Sequence, residues 1–168
     1  ASDCPDNVPI GCWDTSAVTD MEKGFRYKDQ FNDLINCWNT ASVTDMNNMF
    51  YYATNFNQSL DDWNVASVNN MAYMFRGATN FNQPLDDWNV ASVNDMFAMF
   101  YGATNFNQCL SSWADKTPPD VNVDDIFSSS GCPDENPVVN VAPWCQGEDE
   151  QCYTPLTIAD DCTLCKLS

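Results

Sequence analysis

The sequence of 168 residues contains no histidine, the commonest base of enzyme active sites. Nucleophilic pairs of histidine with serine or cysteine are therefore excluded. A pair of carboxylates can hydrolyse a glycoside, but no such pair stands apart from the repeated positions of this chain. We therefore expect a protein that is not an enzyme.

Positive charge is scarce as well, with six Lys and Arg residues against 24 Asp and Glu and a net charge of -18. Nucleic acids and anionic membrane surfaces repel a chain of this charge. The chain also lacks an apolar run long enough to span a membrane. The electrostatic partners that remain are cations, basic surfaces and copies of the same chain bridged by Ca²⁺.

Cysteine is abundant, with nine residues in a chain that has no histidine. Only Cys162 and Cys165 have the spacing of zinc ligands, and no second pair accompanies them. Disulfides in a secreted protein are therefore favoured over a cytosolic zinc site. The first residues, ASDCPDNVP, lack Met and fit a mature N-terminus left after cleavage. We expect an extracellular or cell-surface protein with one cysteine free or joined to another chain.

Most of the chain repeats one pattern every 25 residues. Tryptophan marks the period at Trp13, Trp38, Trp63, Trp88 and Trp113. Columns of Val, Met, Phe and Leu follow the same period, one of them being Phe25, Phe50, Phe75 and Phe100. So strict a period predicts stacked units, each of which buries its apolar face on its neighbours.

Each unit is predicted to contain one helix and one short strand. In ASVNNMAYMFRGA the apolar residues have helical spacing, at Val68, Met71, Met74, Phe75 and Ala78. Ser67 and Asn70 stand where a capping box would begin this helix, and Gly77 stands where it would end. The stretch LDDWNV alternates enough for a strand near Trp63 and Val65. The sequence therefore predicts a β/α solenoid of about five coils.

The pattern weakens at both ends, which divides the chain into three parts. Residues 1–12 are a predicted N-terminal cap, and residues 13–127 are the five-coil repeat. Residues 128–168 hold five of the nine cysteines and are predicted to form a disulfide-rich, irregular C-terminal cap or arm. In the last coil Pro118 and Pro119 forbid a regular helix start, and the apolar pattern resumes two residues late.

One string recurs through residues 13–113: Met-Phe-x-x-Ala-x-x-Phe-Asn-Gln-x-Leu-x-x-Trp-Asn-Val-x-x-Val-x-x-Met. It resembles the BspA-like surface-protein repeat, a relative of the leucine-rich repeat with a period of about 25 residues. The resemblance implies a leucine-rich-repeat-like solenoid on a cell surface or outside the cell. It implies a role in adhesion or interaction, not catalysis, and it names no ligand.

Two acidic columns are candidate calcium sites. Asp61, Asp62, Asp86 and Asp87 would stack on successive coils about 5 Å apart, an arrangement that a cation would stabilise. The alternative is a solvated acidic edge. The second column is Asp20, Asp45, Asn70 and Asp95, for which helix capping is the preferred interpretation over a calcium ladder.

Asparagine and cysteine columns suggest two further kinds of site. Asn32, Asn57, Asn82 and Asn107 predict an internal ladder that satisfies backbone groups, although Asn57 also begins a glycosylation sequon. Cys12 and Cys37 share a column on adjacent coils and are predicted to form a disulfide. Cys109 is predicted to pair with Cys132.

Aromatic side chains provide the predicted interaction surface. The tryptophan column could be a platform for sugars, but a core stack is the preferred interpretation. Tyr51, Tyr52, Tyr73 and Tyr101 lie beside the Met-Phe pairs and are expected on the exposed side.

These features favour a secreted structural or surface protein that acts by protein–protein contact. We expect self-assembly into a homo-oligomer, filament or surface layer through the ends of the stack and the C-terminal arm. The alternative is a monomeric adhesin module that binds a host or matrix protein or a glycan through the tyrosines. Either version could depend on calcium.

Overall fold

The computed structural model describes residues 8–133 together with Pro137, Val139, Trp144 and Cys145. This part of the chain contains a 3₁₀ helix, Ile10–Cys12, and one short α-helix, α1, Trp113–Lys116. Its strand-like pairs are isolated parallel bridges that link Asp20, Asp45, Asn70, Asp95 and Asn122 in succession. No regular sheet forms among the described residues, so the predicted β/α solenoid is wrong.

Consecutive β-turns replace the predicted helix. The second unit contains turns at 46–49 and 50–53, each closed by a hydrogen bond from its last N–H to its first carbonyl, of 3.2 and 2.9 Å. The third residues of these turns, Asn48 and Tyr52, have positive φ, which an α-helix does not accept. The turns place apolar side chains at the i, i+3, i+4 and i+7 spacing of a helix. That coincidence explains why the apolar pattern predicted the wrong structure.

The N–H groups between these turn bonds join each unit to the next. In the second unit, four of them donate to carbonyl oxygens of the third unit at 2.8–3.0 Å: those of Met46, Asn48, Phe50 and Tyr52. The same four bonds recur at all four interfaces between the five units. Because every second N–H serves the neighbouring unit, a helical i→i−4 ladder cannot form.

The predicted strand near Trp63 is also a pair of turns. The Trp63 N–H donates to the Leu60 carbonyl at 3.1 Å, and the Val68 N–H donates to the Val65 carbonyl at 2.9 Å. The isolated parallel bridges form instead at the column that begins with Asp20. There each side-chain Oδ1 accepts the N–H two residues later at 2.7–3.1 Å, in Asp20, Asp45, Asn70 and Asp95. These side chains stabilise turns, where helix capping was expected.

Stacked aromatic rings form the centre of the core. Phe25, Phe50, Phe75, Phe100 and Phe127 stack with centroid distances of 5.4–5.6 Å. The tryptophans from Trp38 to Trp113 are buried, which confirms the core stack preferred from the sequence. Such ring pairs each contribute roughly 0.5–1.5 kcal/mol beyond their buried area. The repeated units therefore stack in register around a continuous aromatic core.

Candidate functional site

The first unit leaves the aromatic core uncovered at one side, which we call the N-terminal end (residues 13–31). Trp13 is 38% exposed, whereas Trp63 in the same column is 3% exposed. Val18 and Phe31 are only partly buried, while their equivalents in the next unit are fully buried. An apolar cavity of about 900 Å³ lies at this end, and its lining includes Met21, Phe25 and Tyr27. A cavity of this size is large enough for a peptide segment or a sizeable ligand.

Backbone carbonyl groups at the N-terminal end are unpartnered in the described part of the chain. They belong to Asp20, Glu22, Gly24 and Arg26, and no described N–H donates to them. The equivalent carbonyls of every later unit accept N–H groups from the unit before. This row therefore has the spacing that an incoming segment needs to pair through its main chain, as in strand addition.

Positive charge is concentrated at the same end. Lys23, Arg26 and Lys28 are three of the six cationic side chains of the whole sequence. Lys23 forms an exposed ion pair with the neighbouring Glu22. An exposed pair of this kind contributes about 0–1 kcal/mol at most. The N-terminal end therefore holds half of the cationic side chains of the sequence, which offset most of the charge of its own carboxylates at Asp14, Asp20, Glu22 and Asp29.

The opposite end of the stack is closed over its aromatic core. Phe127 and Trp113 are fully buried, and the Trp144 carbonyl accepts the Leu110 N–H at 3.1 Å. A disulfide joins Cys132 to Cys145 across a Cα separation of 4.9 Å. The two ends of the molecule are therefore different surfaces.

The disulfide between Cys132 and Cys145 corrects the predicted pairing of Cys132 with Cys109. The sequence could not reveal it, because Cys145 lies outside the repeat and has no position in the 25-residue pattern. Cys12, Cys37 and Cys109 are also disulfide-bonded. The bond between Cys12 and Cys37 stays a prediction.

The predicted tyrosine surface is largely packed. Only Tyr52, at 43%, is among the exposed large apolar side chains, while Tyr51, Tyr73 and Tyr101 are half-buried. Arg76 lies 4.3 Å from the Tyr101 ring centroid and 5.6 Å from that of Tyr73. Expecting all four tyrosines to be exposed was therefore wrong, because the turn segments pack their outer side chains against one another.

Two arginines complete this face, and the sequence analysis missed them. Arg26, Tyr51, Arg76 and Tyr101 occupy one column of the repeat, which we call the Arg–Tyr ladder. The Arg26 guanidinium lies 4.9 Å from the Tyr51 ring centroid. The 25-residue spacing was the signal that could have revealed the ladder. Each such cation–π contact contributes about 0.5–2 kcal/mol, depending on burial.

Some polar groups of the Arg–Tyr ladder are shielded from water. The Nε atoms of Arg26 and Arg76 are buried and have no hydrogen-bond partner among the residues that the structure describes. Burial raises the pKa of Tyr51 above its ordinary value, and the positive charge of Arg76 opposes that shift. The ladder is thus a partly dry, cationic and aromatic strip on the side of the stack.

One family's sequence pattern matches residues 2–129, which is most of the chain. That family is described as Mycoplasma protein of unknown function, DUF285. The chain belongs to the DUF285 family. This finding corrects the assignment to the BspA-like surface-protein repeat. Comparison with curated proteins and with solved structures found no match.

The four candidate calcium ligands of this DUF285 protein, Asp61, Asp62, Asp86 and Asp87, are not gathered into one site in the described structure. Asp86 uses its carboxylate to accept the Ser112 N–H at 2.8 Å, while Asp61, Asp62 and Asp87 are exposed. Within residues 8–133 and the four further described positions, no group of three or more Asp, Glu or Cys side chains could hold a metal ion. The solvated acidic edge is therefore the better description of these residues.

The asparagine column forms a ladder in this DUF285 protein. The Asn57 Oδ1 accepts the Asn82 N–H at 2.9 Å and the Gln83 side-chain amide at 3.0 Å. The Asn82 Oδ1 serves Asn107 in the same way at 3.0 Å. Glycosylation of Asn57 stays a prediction. The described part of the chain also contains no helix that is long and apolar enough to cross a membrane.

Proposed function

We propose that this DUF285 protein is a secreted structural or cell-surface protein that acts by protein–protein contact through its N-terminal end, and that it assembles with itself. In this proposal the chain works by contact and not by catalysis. The observation that carries it is the row of four carbonyls that accept no N–H from the described residues, beside an open apolar cavity. Main-chain acceptors and uncovered apolar surface together are what a docking polypeptide requires.

The difference between the two ends supports assembly with a defined direction. One end exposes its core and the other closes over it. A contact between two different ends of identical chains is heterologous, and it produces filaments or layers unless the rotation closes a ring. The disulfides support an extracellular location, since such bonds persist in oxidising compartments.

The test is sedimentation of the unreduced protein over a range of concentrations, with substitutions at the cavity. Trp13→Glu places a carboxylate in the cavity lining, so we expect association to weaken at least tenfold. Leu34→Glu is the matched control, because Leu34 is an exposed apolar residue that does not line the cavity. If both variants self-associate as strongly as the wild type does, a contact through the N-terminal end is refuted.

Tyr27→Glu is a second cavity variant, which keeps the test valid if Trp13→Glu does not fold. Tyr27 is 59% exposed and lines the same cavity, so its replacement disturbs the core little. Thermal unfolding of all three variants then separates lost contact from lost structure.

The second candidate function is that of a monomeric adhesin module binding a host or matrix protein or a glycan. The Arg–Tyr ladder favours it, because aromatic rings and a guanidinium on one strip suit a ligand with planar and acidic groups. Under this alternative, the wild type stays monomeric at all concentrations. Arg76→Gln then abolishes binding to immobilised extracellular matrix and glycans, while Trp13→Glu does not.

A further inference from the structure

The last unit carries main-chain donors that match the acceptors of the first unit. In each earlier unit, N–H groups two residues apart donate to the unit that follows. Their equivalents in the last unit include Val123 and Asp125, whose N–H groups have no acceptor within the described residues. Asp125 is exposed and Val123 is partly buried, so this edge lies outside the closed core around Phe127.

The side chains at these two edges have complementary charge. One column of the repeat begins at Lys23, continues through Asn48, Tyr73 and Ala98, and ends at Asp125, as the inter-unit hydrogen bonds show. Lys23 and Asp125 are both exposed. Asp120 and Asp124 are also exposed near the last unit, whereas Lys23, Arg26 and Lys28 lie at the first. The last edge is therefore acidic, whereas the first combines its three cations with the carboxylates of Asp20 and Glu22.

We propose that a second copy of the chain docks head to tail in the register of the stack, with residues 122–126 of one copy on residues 20–24 of the next. The Val123 N–H then donates to the Asp20 carbonyl, and the Asp125 N–H donates to the Glu22 carbonyl. This register places the Asp125 carboxylate beside the Lys23 ammonium group. The inference rests on the proposed self-assembly and adds its partner surface and register.

The register also explains why Lys23 matters more than an ordinary surface lysine. It places Asp124 of one copy above Glu22 of the next, and two carboxylates in neighbouring positions repel each other. Lys23 already pairs with Glu22 and would be shared with Asp124 and Asp125 at the junction. Reversing its charge would leave several carboxylates together without a cation.

The first experiment is zero-length carbodiimide cross-linking of a mixture of isotopically light and heavy copies of the full, unreduced chain. Lys23 and Asp125 of one copy are four units apart, about 20 Å at the usual strand spacing, so they cannot be joined within it. We expect a cross-linked peptide that pairs light Lys23 with heavy Asp125. If the protein associates but this mixed peptide is absent, the register is wrong and self-assembly stands. A protein that stays monomeric overturns both proposals.

Charge exchange is the second experiment, read by sedimentation at low salt. Lys23→Glu and Asp125→Lys should each weaken association about tenfold, because an attraction becomes a repulsion. The chain that carries both substitutions should regain most of that loss, since every junction again joins opposite charges. Asp62→Lys is the matched control, as Asp62 is an exposed carboxylate in the second unit. If the double variant associates no better than the single variants, the proposed pairing is refuted.

Discussion

The indole N–H of Trp88 donates a hydrogen bond to the carbonyl oxygen of Leu60, 28 residues earlier, at 3.2 Å. The same bond recurs from Trp38, Trp63 and Trp113 to carbonyls at the same separation, at 2.8–3.0 Å. Each tryptophan therefore fills the core and is a second donor to a carbonyl that already accepts a turn N–H, as the Leu60 carbonyl accepts that of Trp63 at 3.1 Å. These side-chain bonds add to the four backbone bonds that join each unit to the next.

Trp88→Phe should destabilise the protein by about 1–3 kcal/mol, since it removes buried volume and one of the two donors to the Leu60 carbonyl. Trp13→Phe is the matched control in the same column. Trp13 is partly exposed, so its replacement should cost less than about 1 kcal/mol. Chemical unfolding of the oxidised protein measures both. Equal losses in the two variants would contradict the core role of the inner tryptophans.

Asn82→Ala should cost about 1–3 kcal/mol, because the Asn107 N–H and the Gln108 side-chain amide lose their common acceptor. Asn82→Asp retains an acceptor oxygen and should restore most of the stability. Thermal unfolding distinguishes the two. If the aspartate variant is as unstable as the alanine variant, the side-chain acceptor is not what the ladder contributes.

Gly77→Ala should destabilise more than Gly102→Ala, although both glycines have nearly the same positive φ, +69° and +70°. A Cβ at Gly77 would lie 2.9 Å from the Tyr52 ring, whereas a Cβ at Gly102 would meet nothing closer than 4.0 Å. We expect about 1 kcal/mol for the backbone conformation in both variants and an additional loss for the first alone. A comparison of their unfolding midpoints tests this. Equal midpoints would show that Tyr52 moves aside freely.

The pKa of Tyr51 should rise further in Arg76→Gln, because the positive charge that opposes the upward shift is lost. A phenol whose pKa is raised on folding contributes stability below its ordinary pKa of 10.0 and loses it as pH rises through the folded value. NMR titration of labelled tyrosine, with Tyr51→Phe to assign the signal, measures the shift. A lower pKa in the Arg76 variant would contradict the described Arg–Tyr ladder.

The amino-acid pattern predicted the repeat but not the local backbone. Columns such as Phe50 and Phe75 could be predicted because equivalent positions of stacked units have the same buried surroundings and therefore favour the same side chain. The turns were missed because Met71, Met74 and Phe75 have the spacing of a helix, and the positive φ of Tyr73 leaves no signature in a tyrosine. The helix propensity of the amino acids does not indicate that every second N–H will donate a hydrogen bond to a neighbouring unit.

The candidate site was even harder to predict from the sequence than the local backbone. The open end depends on which carbonyls of residues 20–26 accept no N–H from the described part of the chain, and only the three-dimensional structure reveals this. The Arg–Tyr ladder was visible in principle, since Arg26 and Arg76 fall in the column of Tyr51 and Tyr101. The bond between Cys132 and Cys145 was not, because Cys145 lies outside the repeat.

Electron microscopy of the native, unreduced protein, with added Ca²⁺ and with chelator, tests the central claim most directly. The account predicts ordered filaments or layers with a repeat of one molecular length along the stack axis, equally in both conditions. Isolated single stacks under both conditions would contradict assembly through the N-terminal end.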